Sequence, residues 1–214
     1  MRFIPFEIKT GKENMQIDSD LLDFSIQNKL SEPVFRLYGW SPACVSLGRN
    51  QKDDFIDYDF LKSKNIDVVR RLTGGRALLH DDEITYSFIC PFSYLKNGEN
   101  VKESYIEISQ LLIDKFKKLD INLDFGSNNG IHTKFDYCML ISTGADLCYK
   151  GKKLIGSAQC RKDGYILQHG SILYDYNPEF LEEIFGEKIH SITSIKEINP
   201  NLSKDDIIHV LANC

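Results

Sequence analysis

The stretch Arg70-Arg71-Leu72-Thr73-Gly74-Gly75-Arg76-Ala77-Leu78-Leu79-His80 restricts what this chain can fold into more than any other. An apolar run, Ile66 to Val69, ends in a cationic pair. A glycine pair then turns the backbone, and a second apolar run follows, Ala77 to Leu79. Glycine tolerates positive φ and lets a ligand lie against the main chain. Arginines beside exposed amides suit a carboxylate, a phosphate or a polarised carbonyl. Two readings fit the segment. One is a small-molecule site at a strand-turn-strand junction, drawing on Arg70, Arg71, Thr73, Gly74, Gly75, Arg76, Ala77 and His80. The other is a hairpin whose glycines serve only the turn.

The rest of the chain sets that junction in an α+β context. Alternation predicts a strand over Phe3–Ile8, and further strands over Val34–Trp40 and Ala43–Leu47, joined at Ser41-Pro42. Ile66–Leu72, Ala77–Leu79 and Ile84–Cys90 follow as strands. Leu147–Tyr149, Lys153–Gln159 and Tyr165–Leu173 then form a meander turning at Gly151-Lys152 and Lys162-Asp163-Gly164. Helices are expected over Asn14–Leu30, with Ile17, Leu21, Leu22, Phe24 and Ile26 on an apolar face, and over Asp57–Lys64, Val101–Leu119, Pro178–Phe185 and Ser203–Ala212. Gly126–Lys134 is rich in Asn and Gly and reads as irregular. No repeat or flexible linker divides the chain, so residues 1–214 are expected to form a single domain. Its sheet should be largely antiparallel or mixed, with flanking helices.

Charge and cysteine usage narrow the function. A net charge of −5 argues against a nucleic-acid protein, which would carry a basic excess. No apolar run approaches the roughly 20 residues of a bilayer span, and Met1-Arg2-Phe3-Ile4-Pro5-Phe6-Glu7 lacks a secretory pattern. Six scattered cysteines, none in a C-x-x-C pair, suit neither a zinc site nor a disulfide framework, so no metal is expected. Free thiols in a chain of this size imply a reducing cytoplasm.

Two further segments carry chemistry. In Lys153-Leu154-Ile155-Gly156-Ser157-Ala158-Gln159 the small residues Gly156 and Ala158 leave space for something bulky beside a strand. The alternative is a basic surface hairpin, which accounts for Lys150 and Lys152. Upstream, Cys138 closes the irregular stretch. A thiolate is the reactive form of cysteine, and a nearby ammonium favours it. A loop cysteine within reach of Lys153 is therefore a workable acyl-transfer nucleophile.

Arg70–His80 with Glu83-Ile84-Thr85-Tyr86-Ser87, the Lys153–Gln159 block, and Leu167-Gln168-His169-Gly170-Ser171-Ile172-Leu173 together resemble the catalytic domain of the lipoate A/B protein ligase and biotin ligase superfamily. The blocks fall in that family's order across roughly Val34–Leu173. Within the superfamily the chain is most similar to the cysteine-dependent octanoyltransferases. It shares their order of Cys138-Met139, an acidic-Leu pair (Asp146-Leu147) and then Lys153, with Met139 where an aromatic is usual.

The resemblance implies a fold like that of class II aminoacyl-tRNA synthetases and biotin synthetases. It also implies a two-step transfer. Cys138 takes the octanoyl group from octanoyl-acyl carrier protein, and the lysine of a lipoyl domain, such as the glycine-cleavage H protein or a dehydrogenase E2, receives it as an amide. Lys153 would hold Cys138 as thiolate. Arg71 to His80, Gly156 to Ala158, and His169, Gly170 and Ser171 would line the acyl pocket and carbonyl site. Neither ATP nor another cofactor is implied, and the chain is expected to act as a monomer. The chain ends soon after these blocks, leaving no room for the accessory domain of two-domain ligases, and its short C-terminus leaves open a truncated chain. Alternatives are an ATP-dependent lipoate ligase, a lipoyl-domain amidotransferase using the same cysteine, and a binding regulator without catalysis. Because both expected partners are acidic, Lys150, Lys152, Lys153, Arg161 and Lys162 are expected to form one basic docking patch.

Overall fold

The computed structural model of the chain describes residues 1–126, 144, 146–188 and 190–213. In chain order the strands are β1 Arg2–Lys9, β2 Val34–Trp40, β3 Cys44–Leu47, β4 Asp67–Arg70 and β5 Leu78–His80. They continue with β6 Glu83–Pro91, β7 Asp124–Phe125, β8 Leu147–Tyr149, β9 Lys152–Lys162 and β10 Tyr165–Leu173. The helices are α1 Gly11–Gln27, α2 Tyr58–Ser63, α3 Val101–Lys117, α4 Pro178–Phe185, α5 Ile195–Ile198 and α6 Lys204–Ala212. Among the described residues the strands form a large mixed sheet in the order β1-β2-β6-β10-β9-β8-β7 and a small one in the order β4-β3-β5. Among the described strands β1–β2 and β3–β4 pair in parallel and the other pairs are antiparallel. The α+β expectation holds.

Local chemistry accounts for most element boundaries. Thr10 and Glu13 close a capping box at the start of α1, and Ser203 and Asp206 do the same for α6. Asn100 accepts from the Glu103 amide to start α3, and Asn177 followed by Pro178 starts α4. The one-turn α5 carries too little periodicity to be read from sequence. On one face of the large sheet, Ile108, Leu112 and Phe116 of α3 join Phe35, Tyr86 and Phe88 in the main apolar core.

Two expectations are corrected here. The Arg70–His80 segment is not a hairpin, because β3 lies between β4 and β5 and pairs with both. The glycine pair sits in a loop that crosses the end of β3. Helix α1, in turn, does not bury the apolar stripe its sequence suggests. Leu22 is buried but Phe24 is exposed, while Asn14, Asp18 and Ser25 are inside. That helix packs on a sheet face carrying Arg36 and Tyr38, whose hydrogen-bond partners are Asn14 and Asp18, while Ser25 Oγ donates back to Leu21 O.

Candidate active site

Cross-strand register builds the floor of a cavity of about 430 Å³. Gly156 on β9, Ser171 on β10, Thr85 on β6 and Tyr38 on β2 lie opposite one another in a single row. Four strands at roughly 4.8 Å spacing make such a row about 14 Å long. Short side chains along most of it leave a trough, and Met15, Trp40, Leu78 and Tyr105 supply apolar wall. The next row, Ala158, His169, Ser87 and Arg36, runs beside it.

Arg71 organises one side. Its Nε donates to Thr73 Oγ1 (3.1 Å), Nη1 to Ser46 O (2.9 Å) and Ser46 Oγ (3.1 Å), and Nη2 to Gly74 O (2.8 Å) and Arg76 O (2.7 Å). A guanidinium has five N–H donors, so this set uses them all. Each hydroxyl that Arg71 holds meets a buried imidazole. Thr73 Oγ1 lies 2.8 Å from His169 Nε2, and Ser46 Oγ lies 2.8 Å from His80 Nε2. The Nδ1 atoms face carboxylates: His169 meets Asp18 at 3.3 Å and His80 meets Glu83 at 2.8 Å. A carboxylate only accepts, so the far side of each ring places an N–H on Nδ1.

The carboxylates are satisfied in turn. Asp18 takes Arg36 Nη1 at 2.9 Å and the Tyr38 hydroxyl at 2.9 Å, and Glu83 accepts from Thr85 and Ser171. Burial alone would raise both acids, but the bonds and charges of His169 and Arg36 hold Asp18 below its ordinary value. His80, Ser171 and Thr85 do the same for Glu83. Burial pushes the His169 pKa down, assisted by Arg71 and His80 against the pull of Asp18. Trp40 stacks on His80 with ring centroids 3.9 Å apart and gives its Nε1 proton to Thr85 at 2.7 Å.

The other side carries a buried cation. Lys153 is 1% exposed, and its Nζ lies 3.0 Å from Asp146 Oδ1, itself buried. Both line the cavity. The Gly126 amide donates to Asp146 O at 2.9 Å, so the two ends of the chain stretch containing Cys138 meet at this ion pair. Ser157, four residues further along β9, meets Tyr86 Oη at 2.7 Å, and Gln168 Nε2 donates to that phenol at 2.8 Å.

Most of the residues singled out from sequence converge on this cavity. Arg71, Gly74, Gly75, Arg76, His80, Lys153, Gly156, Ser157, Ala158, His169, Gly170 and Ser171 line it. Three do not. Arg70 turns to the carbonyls of Gly48 (2.8 Å) and Gln51 (2.6 Å), Thr73 lies behind the wall on His169, and Ala77 is packed in the core. Cys138 lies outside the described residues. Arg71, expected to meet a ligand anion, is committed to the protein's own carbonyls and hydroxyls. Gly75 has φ +95°, where a Cβ would be strained and 2.9 Å from Arg71 Nη2.

Sequence reasoning passed over Asp18, Arg36, Ser46 and Met15. Arg36 alone had left a signal, as a charge inside an otherwise apolar strand. The single basic patch is also corrected. Lys150 and Lys152 sit at one end of β9 and Arg161 and Lys162 at the other. Eleven residues of strand, at roughly 3.3 Å each, put those ends about 30 Å apart. Arg161 bonds Ser104 Oγ and Gly98 O, and Lys162 pairs with Asp23 at 2.7 Å.

Comparison with known proteins gives the chain its family and its fold relatives. The lipoyl protein ligase A/B catalytic domain family matches residues 10–214. An octanoyltransferase LipM of Staphylococcus aureus is 39% identical over 192 residues, covering 83% of this chain and 68% of that protein. The chain thus spans about two thirds of that relative's length. Among solved structures, protein Ta0514 of T. acidophilum with bound lipoic acid superposes with a TM-score of 0.76 at 19% identity, over 98% of this chain and 82% of the other. A biotin protein ligase of Aquifex aeolicus in complex with biotin and ATP gives 0.52 at 10% identity, over 99% and 67%. These two likenesses concern the fold.

Proposed function

The chain belongs to the lipoyl protein ligase A/B catalytic domain family and is an octanoyltransferase of protein lipoylation, and we propose that it works through Cys138 as an S-octanoyl enzyme. The donor is octanoyl-acyl carrier protein, and the acceptor is the target lysine of a lipoyl domain. The Cys138 thiolate attacks the thioester carbonyl and expels the carrier thiol. The acceptor amine then displaces Cys138 to leave an amide. A thioester is already activated, so the reading needs neither ATP nor a metal.

The observation that carries this reading is the buried Lys153–Asp146 pair in the cavity wall. Burying a lysine to 1% exposure is costly even beside a carboxylate, and an ion pair set in a cavity wall suits the stabilisation of a thiolate and a developing oxyanion. Other thiols are poorer candidates. Burial pushes Cys90 up to about 12, and raises Cys44 and Cys160 as well. Among the described residues no helix is long and apolar enough to cross a membrane. The proposed setting is the cytoplasm, where both protein partners are made.

The test is intact-protein mass after mixing with octanoyl-acyl carrier protein without ATP, beside Cys138→Ser. One octanoyl adduct on the wild type, absent from the variant and discharged by an apo lipoyl domain, is expected. No adduct, with acceptor modification only when ATP and free octanoate or lipoate are supplied, would make the protein a ligase and Cys138 a bystander.

A further inference from the structure

Carboxylates assign the protons of several groups in the cavity wall. Ser171 and Thr85 give theirs to Glu83. His80 and His169 direct Nδ1–H at Glu83 and Asp18. Ser157 meets no carboxylate; its partner is the Tyr86 phenol, 2.7 Å away, and either hydroxyl can donate across that contact. Gln159 Nε2 lies 2.8 Å from Gln168 Oε1, and Gln168 Nε2 lies 2.8 Å from Tyr86 Oη. With Gln159 donating to Gln168 and Gln168 to the phenol, the phenol proton goes to Ser157 Oγ. Burial holds the Tyr86 phenol well above its usual pKa, so that proton stays in place. The Ser157 hydroxyl is left as an acceptor from tyrosine whose own proton has no acceptor among the described residues. Successive hydrogen bonds running in one direction polarise one another and strengthen the terminal donor.

We propose that Ser157 is a catalytic hydrogen-bond donor to the carbonyl oxygen of the bound thioester, aligned by the positioning residues Tyr86, Gln168 and Gln159. The proposal rests on the acyl-transfer reading of this cavity. As the Cys138 sulfur bonds to the carbonyl carbon, the π pair moves to oxygen, and Ser157 O–H and the Lys153 ammonium share the resulting negative charge. Collapse breaks the carbon–sulfur bond to the carrier, whose thiolate recovers the proton that left Cys138. The small residues around Ser157 also have a role. Gly170, directly opposite it, has no room for a side chain, since a Cβ would stand 2.6 Å from the Tyr86 ring and 2.8 Å from Ser157 Oγ. A glycine there lets the phenol reach the serine.

The experiment is rapid-quench mass spectrometry of S-octanoyl enzyme formation from octanoyl-acyl carrier protein, on wild type and on Ser157→Ala, Ser157→Thr and Tyr86→Phe. Loss of one oxyanion donor typically costs on the order of 100-fold in rate. Ser157→Ala should therefore acylate about 100-fold more slowly, with the carrier concentration at half-saturation nearly unchanged. Ser157→Thr should restore most of the rate, and Tyr86→Phe should lose about tenfold as the serine proton loses its alignment. Wild-type acylation in Ser157→Ala, or equal slowing in the Ala and Thr variants, would overturn the role of Ser157. Wild-type rates in Tyr86→Phe would overturn the relay. Failure of the wild type itself to form an adduct would instead sink the acyl-transfer reading beneath both.

Discussion

Arg71 shows how a residue chosen for its chemistry can serve the fold. Its fork spans the loop carbonyls of Gly74 and Arg76 and the two hydroxyls that orient His80 and His169. Lysine has three donors and no fork, so Arg71→Lys leaves at least two buried acceptors unmatched. It should cost about 2–4 kcal/mol in urea unfolding, with octanoyl transfer falling alongside as the glycine loop loosens. His169 makes a second prediction with a definite sign. Burial lowers its folded pKa below the ordinary 6.5, so the unfolded chain binds more protons as the solution becomes acidic. Its contribution to stability is therefore complete above pH 6.5 and is lost as pH falls from there through the folded value. Wild-type unfolding free energy should drop as pH falls below 6.5. His169→Gln, which cannot charge, should flatten that segment of the profile, and equal slopes would contradict the neutral-imidazole assignment.

At the level of elements, the strand meander from β8 to β10 was legible because turn residues and small side chains are local signals. Of the block it carries, Lys153, Gly156, Ser157 and Ala158 line the cavity, while Leu154 and Ile155 lie in the core. What stayed hidden depends on partners distant in sequence. Helix α1 reads as apolar at Ile17, Leu21 and Phe24, yet it turns Asn14 and Asp18 inward. Their partner Arg36 comes from a strand that no periodicity could place beside them. The hairpin reading failed for a similar reason, since nothing in 70–80 announces that β3 will insert between its two strands. The cavity floor likewise exists only through register. Ala158 stands opposite His169 on that floor, where a larger side chain projects into the space meant for the acyl chain. Ala158→Leu should retain the wild-type melting temperature within a few degrees while S-octanoyl formation is lost. An unchanged rate of acylation would show that the chain lies elsewhere.

For the molecule as a whole, the proposed function requires an enzyme of net charge −5 to meet acidic carrier and lipoyl domains, which takes local attraction to overcome its own field. The two lysine-rich ends of β9 are not equivalent for this purpose. Lys162 is neutralised by Asp23, and Arg161 is anchored to Gly98 and Ser104, so that end is already structural. Lys150 and Lys152 are exposed and directly precede Lys153, whose pair with Asp146 lines the cavity. Steering by exposed charge acts over a Debye length of roughly 10 Å at 0.1 M salt. Lys162 stands only three residues, roughly 10 Å, beyond Gln159 of the cavity wall, so its ion pair with Asp23 and not its distance sets it apart from Lys150 and Lys152. Reversing Lys150 and Lys152 to Glu should raise the apparent KM for the protein substrates several-fold at low ionic strength, with little change in kcat, and the difference should shrink as salt is added. Lys162→Glu should leave KM where it was and cost only the weak surface pair with Asp23, below about 1 kcal/mol. Steady-state kinetics of both variants at two salt concentrations decide the matter. A KM effect from Lys162→Glu equal to that of the Lys150–Lys152 reversal would mean that the partner docks along the length of β9 and not at its turn.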